Sequence, residues 1–179
     1  MQLHPITRLT PAKQVSEAND FSKAQFEIRL ANEEDSTGIL RCLSEAFEPY
    51  RKLYTTEAFA DTVLDPESLR ARMKTMHVIV AVANGEVIGT VAGSKSQVGE
   101  GHLRGMAVLP QYKDSGIAAE LLAAIEAWLR GRGCTRVTLD TTKPLLAAMK
   151  FYEKHGYARS SRVSDFFGMQ LIEYAKEIV

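Results

Sequence analysis

The stretch from His102 to Ala118 (HLRGMAVLPQYKDSGIA) holds the residues whose types and spacing could do chemistry. Leu103 to Leu109 is an apolar run ended by Pro110, which reads as a strand. A short polar loop follows. From Gly116 to Arg130 the apolar residues Ile117, Leu121, Leu122, Ile125, Trp128 and Leu129 recur at intervals of three and four, as on one face of a helix. A strand that enters a helix through such a loop turns unpaired backbone N–H groups and the positive end of the helix dipole toward one point. That arrangement suits a phosphate or pyrophosphate. It also suits a plain tight turn, and on this stretch alone both readings stay open.

The elements around it must hold that turn in place. Phe26, Ile28 and Leu30 alternate with polar neighbours as in a strand, and Asn32 before Glu33, Glu34 and Asp35 marks a helix start with acids in its first turn. Ile39, Leu40, Leu43 and Phe47 carry that helix to Pro49. A second helical stretch holds Phe59 and Val63, and Asp65-Pro66 opens a third with Leu69 and Met73. His77 to Ala83 and Val87 to Gly93 are strands joined by Asn84-Gly85, a strong hairpin turn signal. A loop is expected at Gly99 to Gly101, ahead of the fourth strand. Gly131 or Gly133 closes the long helix, Val137 and Leu139 mark a fifth strand, and Pro144 to His155 a helix capped by Gly156. Two further strands run from Tyr157 through Met169, Leu171 and Ile172. This order predicts an α/β domain over 25–179 with a mixed sheet of six to seven strands and helices on both faces. Residues 1–24 read as a polar N-terminal arm.

Composition narrows the function classes. The 179 residues fit one domain, and 22 Lys+Arg against 22 Asp+Glu give no net charge to draw the chain to nucleic acid or to an anionic membrane. Any anion must be held by a local site. Hydrophobic residues at 45% and charged residues at 25% exclude general disorder. Cys42 and Cys134 form no CxxC and have no His at ligand spacing, so neither a disulfide framework nor a metal site is expected. Met1 to Leu9 lacks the apolar core of a secretory signal, and no run approaches the ~18 apolar residues of a membrane span, so the cytoplasm is the expected compartment.

Lys113-Asp-Ser-Gly116-Ile-Ala118 resembles the Arg/Gln-x-x-Gly-x-Gly/Ala motif of the GNAT N-acetyltransferase superfamily, and Phe151-Tyr152-Glu-Lys-His-Gly156-Tyr157 resembles that family's Phe-Tyr-x-x-x-Gly-Phe/Tyr signature. With the element order, the resemblance spans about residues 25–175. It implies a single-domain GNAT-like fold and an acetyl-CoA-dependent N-acetyltransferase that works by direct attack in a ternary complex, without a metal. It further implies that Met106, Ala107 and Val108 meet the pantetheine arm, and that Lys113, Asp114, Ser115, Gly116, Ile117 and Ala118 wrap the pyrophosphate. Tyr152 matches the tyrosine that protonates the departing thiolate, and a phenol suits a general acid. The chain departs from the common pattern at Lys113, Asp114 and Leu145. The second departure sets a carboxylate beside a phosphate site, where it is expected either to cap the helix or to repel the donor.

An amine acceptor must lose a proton before it attacks, and Glu100, His102 and Asp140 are the candidate groups near the strand ends. Tyr50, Arg51 and Tyr54, together with Asp165-Phe166-Phe167, fall where the family shapes its acceptor pocket, and a mouth of Tyr50, Arg51, Tyr54, Asp140 and Phe167 is expected to bind a small zwitterionic or amine-bearing acceptor. The expected acceptor is a small-molecule amine or a protein amine, with no nucleic acid and no membrane among the partners and a homodimer left open. The alternative is a non-catalytic regulatory module that binds acyl-CoA or a nucleotide, which Asp114 would favour.

Overall fold

The computed structural model describes residues 25–97 and 99–178. The arm expected over 1–24 lies outside the described residues. Strand β1 (Glu27–Leu30) leads into a single 3-10 turn and helix α1 (Ser36–Phe47). The Asn32 side chain accepts from the Glu34 N–H, and the Asp35 carboxylate accepts from the Asn32 N–H and from both arms of the Arg29 guanidinium at 2.7 and 2.8 Å. Helices α2 (Thr56–Val63) and α3 (Pro66–Thr75) follow, each capped by a side chain, Thr55 on the Ala58 N–H and Asp65 on the Ser68 N–H. These caps satisfy donors the helices cannot satisfy themselves.

The hairpin of β2 (His77–Ala83) and β3 (Glu86–Gln97) turns at Asn84 and Gly85, whose φ values of 51° and 79° are those of a turn with both central residues left-handed. Strand β4 (Glu100–Val108) comes next, then α4 (Ile117–Gly131), β5 (Arg136–Thr142), α5 (Leu146–Lys154), β6 (Ala158–Phe166) and β7 (Met169–Glu177). They form one seven-stranded mixed sheet in the order β1-β2-β3-β4-β5-β7-β6, in which only β4 and β5 are parallel neighbours.

The expected loop at Gly99–Gly101 is shorter than the sequence suggested, because Gly101 lies inside β4 opposite Lys95. The reason is packing rather than turning. A Cβ on Gly101 would come within 2.7 Å of Leu129, and one on Gly93 within 2.7 Å of Ile125, so α4 rides directly on the backbone of β3 and β4. Leu121, Leu122, Ile125 and Leu129 are buried in that contact. The buried Glu126 on the same helix is compensated by Lys176 at 2.8 Å and by the Tyr157 hydroxyl at 2.9 Å, which anchors the chain just after α5 to α4.

Candidate active site

Strand β4 pairs with β5 only over Glu100–Leu103 against Arg136–Leu139. Beyond that point β4 stays with β3 as far as Val108 and β5 stays with β7 as far as Thr142, so the two halves of the sheet part like a V. A bulge sharpens the split. Thr90 faces Ala107 and Ala92 faces Arg104, which leaves Gly105 and Met106 together opposite Val91. Gly105 takes a φ of 61°, a left-handed conformation that glycine adopts without strain, and the strand re-aims its next side chain.

One side of the V opens on the start of α4. A cleft of about 800 Å³ is bounded there by Val108, by the turn from Lys113 to Ala118, and by Phe151, Lys154 and His155 of the facing helix. Gly116, at φ 88°, is the N-cap residue, and no side chain caps the helix. Among the described residues the N–H groups of Asp114, Gly116, Ile117 and Ala118 have no backbone acceptor. These donors and the helix end fit a pyrophosphate, with Lys113 and Lys154 on the rim. Of the two expectations for Asp114, the capping one is not met, since no side chain caps the helix. Asp114 is exposed with a φ of 62°, in the conformation where glycine would be favoured.

The other side of the V is a pocket of about 450 Å³ between the ends of β4 and β5. His102 and Asp140 face one another across it, Nε2 to Oδ2 at 3.7 Å, while His102 Nδ1 meets the Thr138 hydroxyl at 2.9 Å. Burial pushes the His102 pKa below the ordinary imidazole value against the opposing pull of Asp140. Tyr54 lines the same wall with its hydroxyl 2.6 Å from Thr142, and Arg104 donates to Asp61 at 2.7 Å. Arg72 reaches in from α3. Its pKa is lowered to about 10 by burial, with Arg104 adding to the effect and Asp61 opposing it.

Between the two lies a narrow cavity of about 90 Å³, walled by Arg104, Gly105 and Asp140 on the pocket side and by Met106, Ala148 and Tyr152 on the other. The latter three adjoin Val108, Ala147 and Phe151 of the α4 cleft. The buried Tyr152 hydroxyl has Met106 Sδ as its hydrogen-bond acceptor, at 3.4 Å, and burial raises its pKa above the ordinary phenol value.

The profile described as "Acetyltransferase (GNAT) family" matches residues 39–157, more than half of the chain. The chain belongs to the GNAT acetyltransferase family. Among solved structures it is similar to the PaiA N-acetyltransferase of Thermoplasma acidophilum in complex with coenzyme A, at 20% identity and a TM-score of 0.72 over 86% of this chain and 99% of that one. The ribosomal-protein-S18-alanine N-acetyltransferase of Escherichia coli matches at 16% identity and a TM-score of 0.69, over 86% and 94% of the two chains. The ribosomal-protein-alanine N-acetyltransferase of Brucella melitensis matches at 22% and 0.66, over 85% and 99%. At these identities the likeness establishes the fold. Family membership makes the chain an acetyltransferase with acetyl-CoA as its acyl donor.

The structure of this GNAT chain sorts the residues its sequence singled out. His102, Asp140 and Tyr54 meet in the β4–β5 pocket, Met106 and Tyr152 meet at the junction, and Val108 with Lys113 to Ala118 lines the α4 cleft. Glu100 is not with them: it pairs with Arg136 at the closed end of the V, where the strands are still hydrogen-bonded. Ala107 is buried against the core, on the strand position that alternates away from Met106 and Val108. Arg51 is held on Glu48 at 2.8 Å and over the Phe59 ring at 4.1 Å, and Tyr50 lines the α4 cleft instead of the pocket. Phe167 is 51% exposed in the β6–β7 turn, and its neighbour Phe166 reaches the pocket. Arg72, Arg104 and Asp61 were not anticipated, because they lie on elements without a motif. An isolated Gly105 inside an apolar strand was the available sign of the bulge.

When bound, acetyl-CoA supplies an acetyl group on an activated thioester. No helix among the described residues is long and apolar enough to cross a membrane.

Proposed function

We propose that this GNAT chain N-acetylates a primary amine held in the β4–β5 pocket, by direct attack on the thioester in a single ternary complex. The observation that carries the reading is the small junction at Met106 and Tyr152, which lies between the cleft at the start of α4 and the polar pocket. In this reading the N–H groups of the turn at Gly116 hold the donor's pyrophosphate, and the free edge of β4 at Met106 and Val108 orients its pantetheine arm. His102, kept neutral by burial, takes up the one proton that the attacking ammonium must shed, and the Asp140 carboxylate 3.7 Å away steadies the imidazolium that forms. As the C–N bond forms and the C–S bond breaks, the sulfur gains a negative charge. Tyr152, which burial keeps protonated, is the acid beside that sulfur: its hydroxyl hydrogen-bonds the developing charge and passes its proton as the thiolate leaves. Glu100, already paired with Arg136, has no part in this step.

The test is thiol release from acetyl-CoA by the purified chain across a panel of amines, paired with a thermal melt. Saturating acetyl-CoA at a hundredfold excess over its Kd should stabilise the fold by about 2.7 kcal/mol. A stabilised protein that releases no thiol with any amine would instead identify a binding module without catalysis.

A further inference from the structure

We infer that the acceptor is a small zwitterion, an amino-acid-type molecule whose carboxylate is received by Arg72 while its ammonium faces Asp140. The inference rests on the acetyl-transfer reading of the same site and names the class of molecule it takes. Arg72 leaves the last turn of α3 and lays its guanidinium on the bulge of β4, where Nη1 sits 2.5 Å from the place a Cβ on residue 105 would occupy. Gly105 therefore opens the space that lets a cation reach the floor of the pocket. Among the described residues no hydrogen bond or ion pair engages that guanidinium, although it is half-buried. A guanidinium that faces the pocket without a protein acceptor leaves its fork of donors for a ligand, and an oxygen pair in that geometry is the partner they match.

The charges around it decide what kind of anion. Arg104 and Asp61 neutralise one another at 2.7 Å, and His102 carries no charge when its pKa is depressed by burial. Among the described residues that line the pocket, the charges left unpaired are one cation, Arg72, and one anion, Asp140. A molecule with one ammonium and one carboxylate matches both. A polyamine would set a second positive charge against Arg72, and a phosphorylated amine would bring about two negative charges beside Asp61 and Asp140. A peptide N-terminus would offer a neutral amide where the guanidinium asks for an anion. Asp140 also lines the junction with Met106 and Tyr152, so an ammonium drawn to it stands next to the reacting centre. A volume of about 450 Å³, with Phe47, Phe166 and Leu171 on its walls, leaves room for an apolar side chain.

The experiment compares free amino acids with their own carboxamides, and with dipeptides, as acceptors for the purified full chain and acetyl-CoA. Kinetics are read as thiol release, and binding by titration calorimetry on the protein saturated with CoA. The free acids should exceed their carboxamides by about 10- to 150-fold in kcat/KM, mostly through KM. Arg72→Met should bring that ratio close to one, and Arg72→Lys should retain part of it. Carboxamides or dipeptides that serve as well as the acids would overturn the assignment, and if Arg72→Met does not fold, the wild-type ratio alone decides. A chain that binds the acids over the carboxamides yet releases no thiol would uphold the zwitterion pocket and refute the acetyl-transfer reading, so the two fail separately.

Discussion

Replacing Tyr152 by Phe removes one oxygen from the junction of the two clefts, and the structure sets what that should cost in each of two currencies. The hydroxyl's hydrogen-bond acceptor is the thioether of Met106 at 3.4 Å, a weak acceptor. Losing such a bond should change the unfolding free energy by about 0.5 kcal/mol or less, because phenylalanine fills the same ring-shaped space against Phe151 and Tyr157. Loss of the proton donor to a leaving thiolate should instead lower turnover by about ten- to a thousandfold, or roughly 1.4 to 4.1 kcal/mol of barrier. The gap between the two figures is the signature of a general acid. It also has a pH dependence. Burial raises the Tyr152 pKa, so the phenol holds its proton at every pH up to and beyond the ordinary value of about 10, and wild-type turnover has no alkaline limb from this group in that range. A free thiolate needs no proton above a pKa of about 8.5, so the deficit of Tyr152→Phe should narrow as the pH rises through that value. Steady-state kinetics from pH 6.5 to 9.5, beside urea unfolding of both proteins, would measure all of this. Wild-type turnover at neutral pH, or a stability loss above about 2 kcal/mol, would refute the argument.

Asp114→Gly should leave the stability of the free protein within about 1 kcal/mol of wild type, since relief of the left-handed φ of 62° offsets the entropy of an added glycine. It should tighten acetyl-CoA binding, with a gain that shrinks as salt rises. Calorimetry at two ionic strengths would show this, and weaker binding would mean that the carboxylate points away from the phosphates. Glu126→Ala strands the Lys176 ammonium and the Tyr157 hydroxyl, and urea unfolding should report a loss of about 2 to 4 kcal/mol. A loss under 1 kcal/mol would show that water replaces the carboxylate freely. The acidic limb of kcat/KM for the amine should fall below the ordinary imidazole pKa, because burial lowers that of His102 and its neutral form persists to lower pH. In His102→Gln that limb should disappear, and a limb that persists unchanged would assign it to another group.

Local signals were legible where one residue type admits one conformation. Asn84-Gly85 announced its hairpin, Asp65-Pro66 its helix start, and the three-and-four spacing from Ile117 to Leu129 the helix that carries the anion-binding turn. The motifs at Gly116 and Tyr152 pointed to the α4 cleft and its junction. The pocket was much less visible, since it is made by geometry between distant segments. Nothing in the run Arg70, Arg72 and Lys74 sets the middle residue apart, and only the glycine at 105, some thirty positions away, lets it enter. Glu100 and His102 look equally suited to accept a proton in sequence, yet Glu100 is taken up by Arg136 at the start of the paired segment while His102, two positions nearer the parting, lines the pocket. The capping alternative for Asp114 turns on where the helix begins, and the boundary falls two positions on, at Gly116.

The parting of β4 from β5 also bears on how the protein keeps company with copies of itself. A sheet normally exposes two edges, and unpaired edges invite pairing with other chains. Here the outer edges are guarded: β1 has four residues, and β6 carries Arg159, Arg162 and Asp165 and breaks register between Arg159 and Val163. The split adds two inner edges, one on β4 after Leu103, where Arg104 and the bulge at Gly105 follow, and one on β5 after Leu139, where Asp140 follows. Their protection is concavity, because a flat strand from a neighbour cannot enter a wedge closed at one end and roofed by α4 and α5. The shape that opens the two clefts is thus also what shields these edges, and bulk added at Gly105, where a Cβ would meet Arg72 at 2.5 Å, would press on both at once.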